Sequence, residues 1–240
     1  MKITIKILLT FLLLTESLTN KLIAQFSPND LSNLQLWLSA DNGATVVSGA
    51  LSQWSDQSGL NNSCNQTNSL NRPLFINATP ELNNKPCIRF DGTNDLLLGT
   101  TISNINNSSF TIFVVSNGES QSTSIASLFS INTAAAGFYF CRRPSMNKFG
   151  IFNSNINLLS SAIFPNTGYT HRILTGNKNL NISFTFRVNQ NTNFTSNSTG
   201  GTSSFVNANY QIGGGNSANF FKGDIAEIII YGNSLSENEM

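Results

Sequence analysis

Apolar residues in this chain fall in short runs or at every second position, and before Ser236 almost none recur at helical spacing. Leu34-Gln-Leu-Trp-Leu38, Pro86-Cys-Ile-Arg-Phe90 and Phe110-Thr-Ile-Phe-Val-Val115 read as strands. So do Phe138-Tyr-Phe-Cys141, Lys148-Phe-Gly-Ile-Phe152, His171-Arg-Ile-Leu-Thr175, Ile182-Ser-Phe-Thr-Phe-Arg-Val188 and the closing block Phe220 to Tyr231. Clusters of Asn, Gly and Ser separate them, as turns do. A period of two puts Ile182, Phe184, Phe186 and Val188 on one face, with Ser183, Thr185, Arg187 and Asn189 on the other. Phe110 to Val115 has few polar positions, so that strand is expected to be covered on both faces. Asn189 to Ser204 reads as a long loop. Many short strands with turn punctuation predict an all-β domain, an antiparallel two-sheet jelly-roll sandwich.

The N-terminus breaks this pattern. Lys2 and Lys6 precede an apolar run, Ile7 to Leu14, and Leu22-Ile23-Ala24 offers a cleavage site before Gln25. This is the layout of a secretory signal peptide over 1–24, and the run is shorter than the ~20 residues a membrane span needs. The remaining 25–240 suits one large β domain. The protein is therefore expected outside the cell or at its surface, with no transmembrane segment.

Charge narrows the partners. Only 10% of the 240 residues are charged, with 13 basic and 12 acidic side chains, where about 25% charged is usual. No basic face is available for phosphate backbones, so nucleic acid is not an expected partner. Asn, Ser and Thr carry the polar surface, which suits sugar hydroxyls and equally suits solvated loops. The three cysteines, Cys64, Cys87 and Cys141, read as buried thiols; Cys64–Cys87 is the pairing expected if one disulfide forms.

The end of the chain carries its own signal. Ser236-Glu-Asn-Glu239 has capping-box spacing, and Leu235 and Met240 take the two positions of a hydrophobic staple. A helix is set up and cut after one turn. The expectation is a fragment, truncated at this helix, of a longer chain with further domains.

Several segments, in order, support a family resemblance. Leu36-Trp37-Leu38-Ser-Ala-Asp41, Trp54-Ser-Asp56-Gln-Ser58-Gly59, Arg72-Pro73 and Arg89-Phe90-Asp91-Gly92-Thr-Asn-Asp95 come first. Arg187-Val188-Asn189, Ile212-Gly213-Gly214 and Lys222-Gly223-Asp-Ile-Ala-Glu227 through Leu235-Ser236 follow. Together they resemble concanavalin A-like lectin/glucanase domains of the laminin-G-like kind, over Leu34 to Met240. The resemblance implies a jelly roll in a secreted bacterial protein that binds glycans or a cell-surface ligand, or adheres to surfaces. Some relatives are glycan hydrolases and some bind calcium.

Catalysis is the weaker expectation. Retaining glycosidases need two carboxylates ~5 Å apart, and no Glu-x-Asp-x-(x)-Glu run exists here. Asp224 and Glu227 are three apart, so a regular strand points them to opposite faces. His171 is the sole histidine, which excludes a His-rich zinc site, and no Gly-x-Ser-x-Gly elbow accompanies it. Sugar binding needs aromatic platforms beside hydrogen-bonding groups, and Tyr139, Tyr169, Arg187 and Asn189 are the candidates. Trp37 and Trp54 read as core. No motif requires a cofactor. Calcium, which takes six to eight oxygens, is the one ion that the turns holding Asp56, Asp91 and Asp95 would suit. The competing reading is that these side chains hydrogen-bond their own backbones. The functional expectation is a non-catalytic binding or adhesion module for glycans. The alternatives are a polysaccharide hydrolase and a purely structural module of a larger surface protein.

Overall fold

A computed structural model describes residues 26–105, 109–118, 125–131, 138–143, 148–153, 156–159, 172–179, 183–188, 195–196, 209–215 and 219–240. For residue 143 and the strands within 151–208 the backbone alone is described. The segment read as a signal peptide, 1–24, and His171 lie outside the described residues. The first strands are β1 (Leu34–Ser39), β2 (Ala44–Val47), β3 (Ala50–Trp54), β4 (Cys64–Asn65), β5 (Leu74–Thr79) and β6 (Lys85–Asp91). Next are β7 (Leu97–Thr101), β8 (Phe110–Gly118), β9 (Ala126–Ile131), β10 (Phe138–Arg143), β11 (Lys148–Asn153) and β12 (Ile156–Leu159). The last are β13 (Arg172–Asn179), β14 (Ser183–Val188), β15 (Thr195–Ser196), β16 (Asn209–Ile212) and β17 (Lys222–Tyr231). Only 3-10 turns interrupt them among the described residues, and no helix there is long and apolar enough to cross a membrane.

Every described pairing of named strands is antiparallel. The long strand β17 is the hub. One edge pairs with β8; the other pairs with β1 through its C-terminal half and with β6 through its N-terminal half. One arm runs on from β8 through β13 and β14 to β15. The other runs from β6 through β5, β3, β4, β7, β16, β9, β10 and β11 to β12. The sheet curls, because both arms bury apolar side chains in one cluster. Leu36, Leu38, Ile112, Val114, Ile228 and Ile230 come from the hub and first arm; Leu97, Phe129, Phe140, Tyr210 and Ile212 come from the second. Phe110 on β8 meets Phe138 on β10 edge to face, with ring centroids 5.3 Å apart. Such pairs add ~0.5–1.5 kcal/mol beyond burial.

β8 is covered on its core face and, around Phe113, on the other face as well. Phe110, Ile112 and Val114 point into the main core, while Phe113 joins a second cluster with Leu34, Trp37, Ile229, Tyr231, Leu235 and Met240. That cluster anchors the C-terminal turn. Glu239 accepts from the Ser236 amide at 2.8 Å, Thr111 Oγ1 accepts from the Leu235 amide at 3.0 Å, and Leu235 and Met240 share one apolar cluster as a staple would. Cys64, Cys87 and Cys141 are buried, and no disulfide joins Cys64 to Cys87. Burial pushes the Cys64 thiol up to about 12 and Cys87 up to about 11, far from a reactive thiolate.

One sequence expectation is overturned here. Asp224 and Glu227 do not face opposite ways, because β17 is not regular between them. Asp224 stands opposite Asn117 and Ile225 opposite Ser116, yet Glu227 stands opposite Val115. Ala226 is an extra residue, a β-bulge, and it resets the alternation. Ile225, Ile228 and Ile230 all enter the core, so Asp224 and Glu227 both face out. Asn117 and Val115 are two apart on β8, which places Asp224 and Glu227 about 7 Å apart along the strand.

Candidate functional site

The outer face of β17, β6 and β8 holds a cleft of about 390 Å³. Arg72, Leu74, Arg89, Asp91, Asn117 and Asp224 line it, and Phe90, Asp95, Lys222 and Gly223 complete the wall. Strand register explains the centre. Arg89 and Asp224 are directly paired across β6 and β17, and alternation turns both outward. Arg89 Nε donates to Asp224 Oδ1 at 2.7 Å and Nη2 to Oδ2 at 2.8 Å, a bidentate pair. The Asp224 side chain is 3% exposed and that of Arg89 44%, so the guanidinium forms the accessible part of the pair.

The rim is a turn fixed by its own carboxylates. Asp91 Oδ1 accepts from the amides of Thr93, Asn94 and Asp95, and Asp95 Oδ2 accepts from the Asp91 amide at 2.8 Å. Arg72 is oriented by donating to the carbonyls of Gln66 and Thr67 at 2.7 and 3.1 Å. Leu74, half exposed, supplies an apolar wall. Burial pushes the Asp95 carboxyl up to about 6; the bond from the Asp91 amide opposes this and the Asp91 charge adds to it. The folded state therefore holds its Asp95 proton more tightly than the unfolded chain, so stability is lost as pH rises through ~4 to ~6. Asp95→Asn keeps an acceptor for the Asp91 amide and removes the buried charge. It is expected to stabilise the fold by about 2 kcal/mol at pH 8 and by little at pH 4, as melting temperatures at the two pH values will test.

A second, smaller pocket of about 180 Å³ lies further along the same face, lined by Ser39, Asp41, Lys85 and Glu227 among others. Glu227 Oε1 accepts from Trp37 Nε1 at 2.8 Å. Burial raises the Glu227 carboxyl, the indole bond opposes this and Asp41 adds to it. Lys85 and Asp41 form an exposed ion pair at 2.7 Å. Trp37 thus belongs to this outer face, whereas Trp54 is fully buried in the core.

The residues singled out from sequence fall in different places. Asp91 and Asp95 meet at the cleft rim. Asp56 lies elsewhere, and its carboxylate accepts from the amides of Trp37, Ser58 and Asn62 and from the Ser58 hydroxyl. Tyr139 is on β10 in the second arm and is 7% exposed. Arg187 is on β14, where the backbone alone is described. Tyr169 and Asn189 lie outside the described residues. The calcium set does not converge: Asp56 and Asp91 direct their oxygens at backbone N–H groups, and no group of three or more His, Cys, Asp or Glu is placed to share an ion among the described residues. Arg72, Leu74, Arg89 and Asn117 were not singled out as site residues.

No family model and no curated protein matches the sequence. Solved structures do match. The binding domain of Paraclostridial Mosquitocidal Protein 1 superposes with a TM-score of 0.61 at 16% identity, over 89% of this chain and 51% of that one. The receptor binding domain of botulinum neurotoxin D gives 0.58 at 16%, over 88% and 52%. Domain 4 of AbnA, a GH43 extracellular arabinanase from Geobacillus stearothermophilus solved with arabinotriose, gives 0.55 at 14%, over 86% and 96%. The likeness is one of fold. The chain spans about half the length of the two toxin structures and nearly all of the arabinanase domain.

Proposed function

We propose that this protein is a secreted, non-catalytic glycan-binding module with a two-sheet, concanavalin A-like jelly roll, and that the Arg89–Asp224 cleft is its binding site. The observation that carries the reading is the make-up of that cleft. Three cations (Arg72, Arg89, Lys222), three carboxylates (Asp91, Asp95, Asp224) and one amide (Asn117) surround the apolar side chain of Leu74. A balanced set of fixed donors and acceptors beside an apolar wall matches a sugar, which offers hydroxyls on its edge and C–H groups on its face. All of the set but Arg72 and Asp95 lies on strands, and each arginine is held by its own hydrogen bonds, so little ordering is needed on binding. The names of the structural neighbours, among them a receptor binding domain and a domain solved with arabinotriose, support the same reading.

The bulge at Ala226 is the one observation favouring a hydrolase, since it turns Asp224 and Glu227 to one face. Their bonding opposes it. Asp224 is locked by both guanidinium donors and Glu227 holds the Trp37 indole, so neither stands ready to move a proton. A glycan array with the folded protein is expected to give hits that Arg89→Lys, which loses the bidentate geometry, weakens at least tenfold. An array without hits, or hits indifferent to Arg89, would overturn the assignment. Release of reducing sugar from those hits would restore the hydrolase.

A further inference from the structure

We infer, building on that reading, that the cleft is one end of a longer binding track, and that the ligand is an oligosaccharide spanning it and the Glu227 pocket. Three features of β17 and its neighbours carry this. First, the bulge at Ala226 brings Asp224 and Glu227 to one face, opposite Asn117 and Val115 of β8. Were Ala226 an ordinary member of the ladder, Glu227 would point into the core. Second, the same three strands line both cavities. β17 gives Lys222 to Asp224 to the cleft and Ala226 and Glu227 to the pocket; β6 gives Arg89 to Asp91, then Lys85 and Pro86; β8 gives Asn117, then Val115. The cavities are consecutive stretches of one strand surface.

Third, the pocket repeats the chemistry of the cleft on a smaller scale. A carboxylate (Glu227), an ion pair (Lys85–Asp41) and a hydroxyl (Ser39) stand beside apolar Leu82 and Val115. Glu227 is braced through Oε1 by the Trp37 indole, which fixes the carboxyl without using Oε2. A braced carboxyl accepts from a sugar hydroxyl at little entropic cost. The separation of about 7 Å along the strand suits successive units of a chain rather than two edges of one ring.

The test is calorimetric titration of arabino-, xylo- and cello-oligosaccharides of two and of four units into the wild type, Glu227→Gln and Arg89→Lys. Glu227→Gln keeps an acceptor for the Trp37 indole, and thermal melting confirms that the variant is folded. In the series that binds, the tetrasaccharide is expected to bind at least tenfold tighter than the disaccharide. Glu227→Gln should cut that ratio at least fivefold, and Arg89→Lys should weaken both lengths. A ratio near one in the wild type, or one that Glu227→Gln leaves intact, overturns the track while leaving the cleft assignment standing. Absence of binding by every series overturns the track together with the glycan reading.

Discussion

Replacing Arg89 with alanine is expected to destabilise the fold by about 3 kcal/mol, because it strands Asp224. The two members of the pair are not equivalent. The Asp224 side chain is 3% exposed and receives both guanidinium bonds, whereas 44% of the Arg89 side chain meets water. Truncating the exposed partner leaves a buried carboxylate without its charge-assisted donors. The double variant Arg89→Ala/Asp224→Ala removes that orphan, so it should recover much of the loss. Urea midpoints of the wild type, the two single variants and the double variant give the coupling directly. A loss below ~0.5 kcal/mol in Arg89→Ala would mean that the pair behaves like an ordinary surface ion pair, and the pre-organised cleft would go with it.

Of the strands that sequence pattern identifies, β1, β6, β8, β10 and β17 are buried on at least one face. Phe110 to Val115 and Lys222 to Tyr231 each hold a four-residue apolar run, Ile112 to Val115 and Ile228 to Tyr231, and they form the paired centre of the hub. Among the strands it passes over, β9 is buried throughout, whereas others are exposed or short. In β2 no residue is buried, β4 has two residues, and β5 buries a single side chain, Thr79. Such strands are held by hydrogen bonds to neighbours rather than by an apolar face, so their composition carries little signal. β15, two residues long, falls within the stretch read as a loop, Asn189 to Ser204.

The bulge was half visible. Apolar positions at Ile225, Ile228 and Ile230 step by three and then by two, which breaks a regular alternation, but the apolar Ile229 between the last pair masks the step. The cleft itself was not visible. Arg89 and Asp224 are 135 positions apart and meet only because β6 and β17 pair in one register. Asp56 and Asp91 were easier to read, since each bonds amides within a few residues, as short acidic side chains in turns do.

Gly223 supports the cleft from behind, and Gly223→Ala is expected to have the largest effect of any single methyl added on this face. Its φ is +146°, and a Cβ there would lie 2.2 Å from the Asn117 carbonyl oxygen and 2.7 Å from the Gly118 Cα. Both neighbours are backbone, and Gly223 and Gly118 are paired in the ladder between β17 and β8. Relief therefore requires the two central strands to separate where Asp224 and Asn117 enter the cleft. The expected cost is about 4 kcal/mol or more, and a domain of this size should melt roughly 8–16 °C lower. Gly49→Ala is the control: Gly49 has φ +83° but no atom within 4 Å of the added methyl. It bears the backbone strain alone, about 1 kcal/mol. Calorimetry of the two variants separates the clash from the strain. Equal melting temperatures would mean that β17 and β8 do not approach as closely at this end as the register requires, and the outward pairing of Arg89 with Asp224 would lose its support.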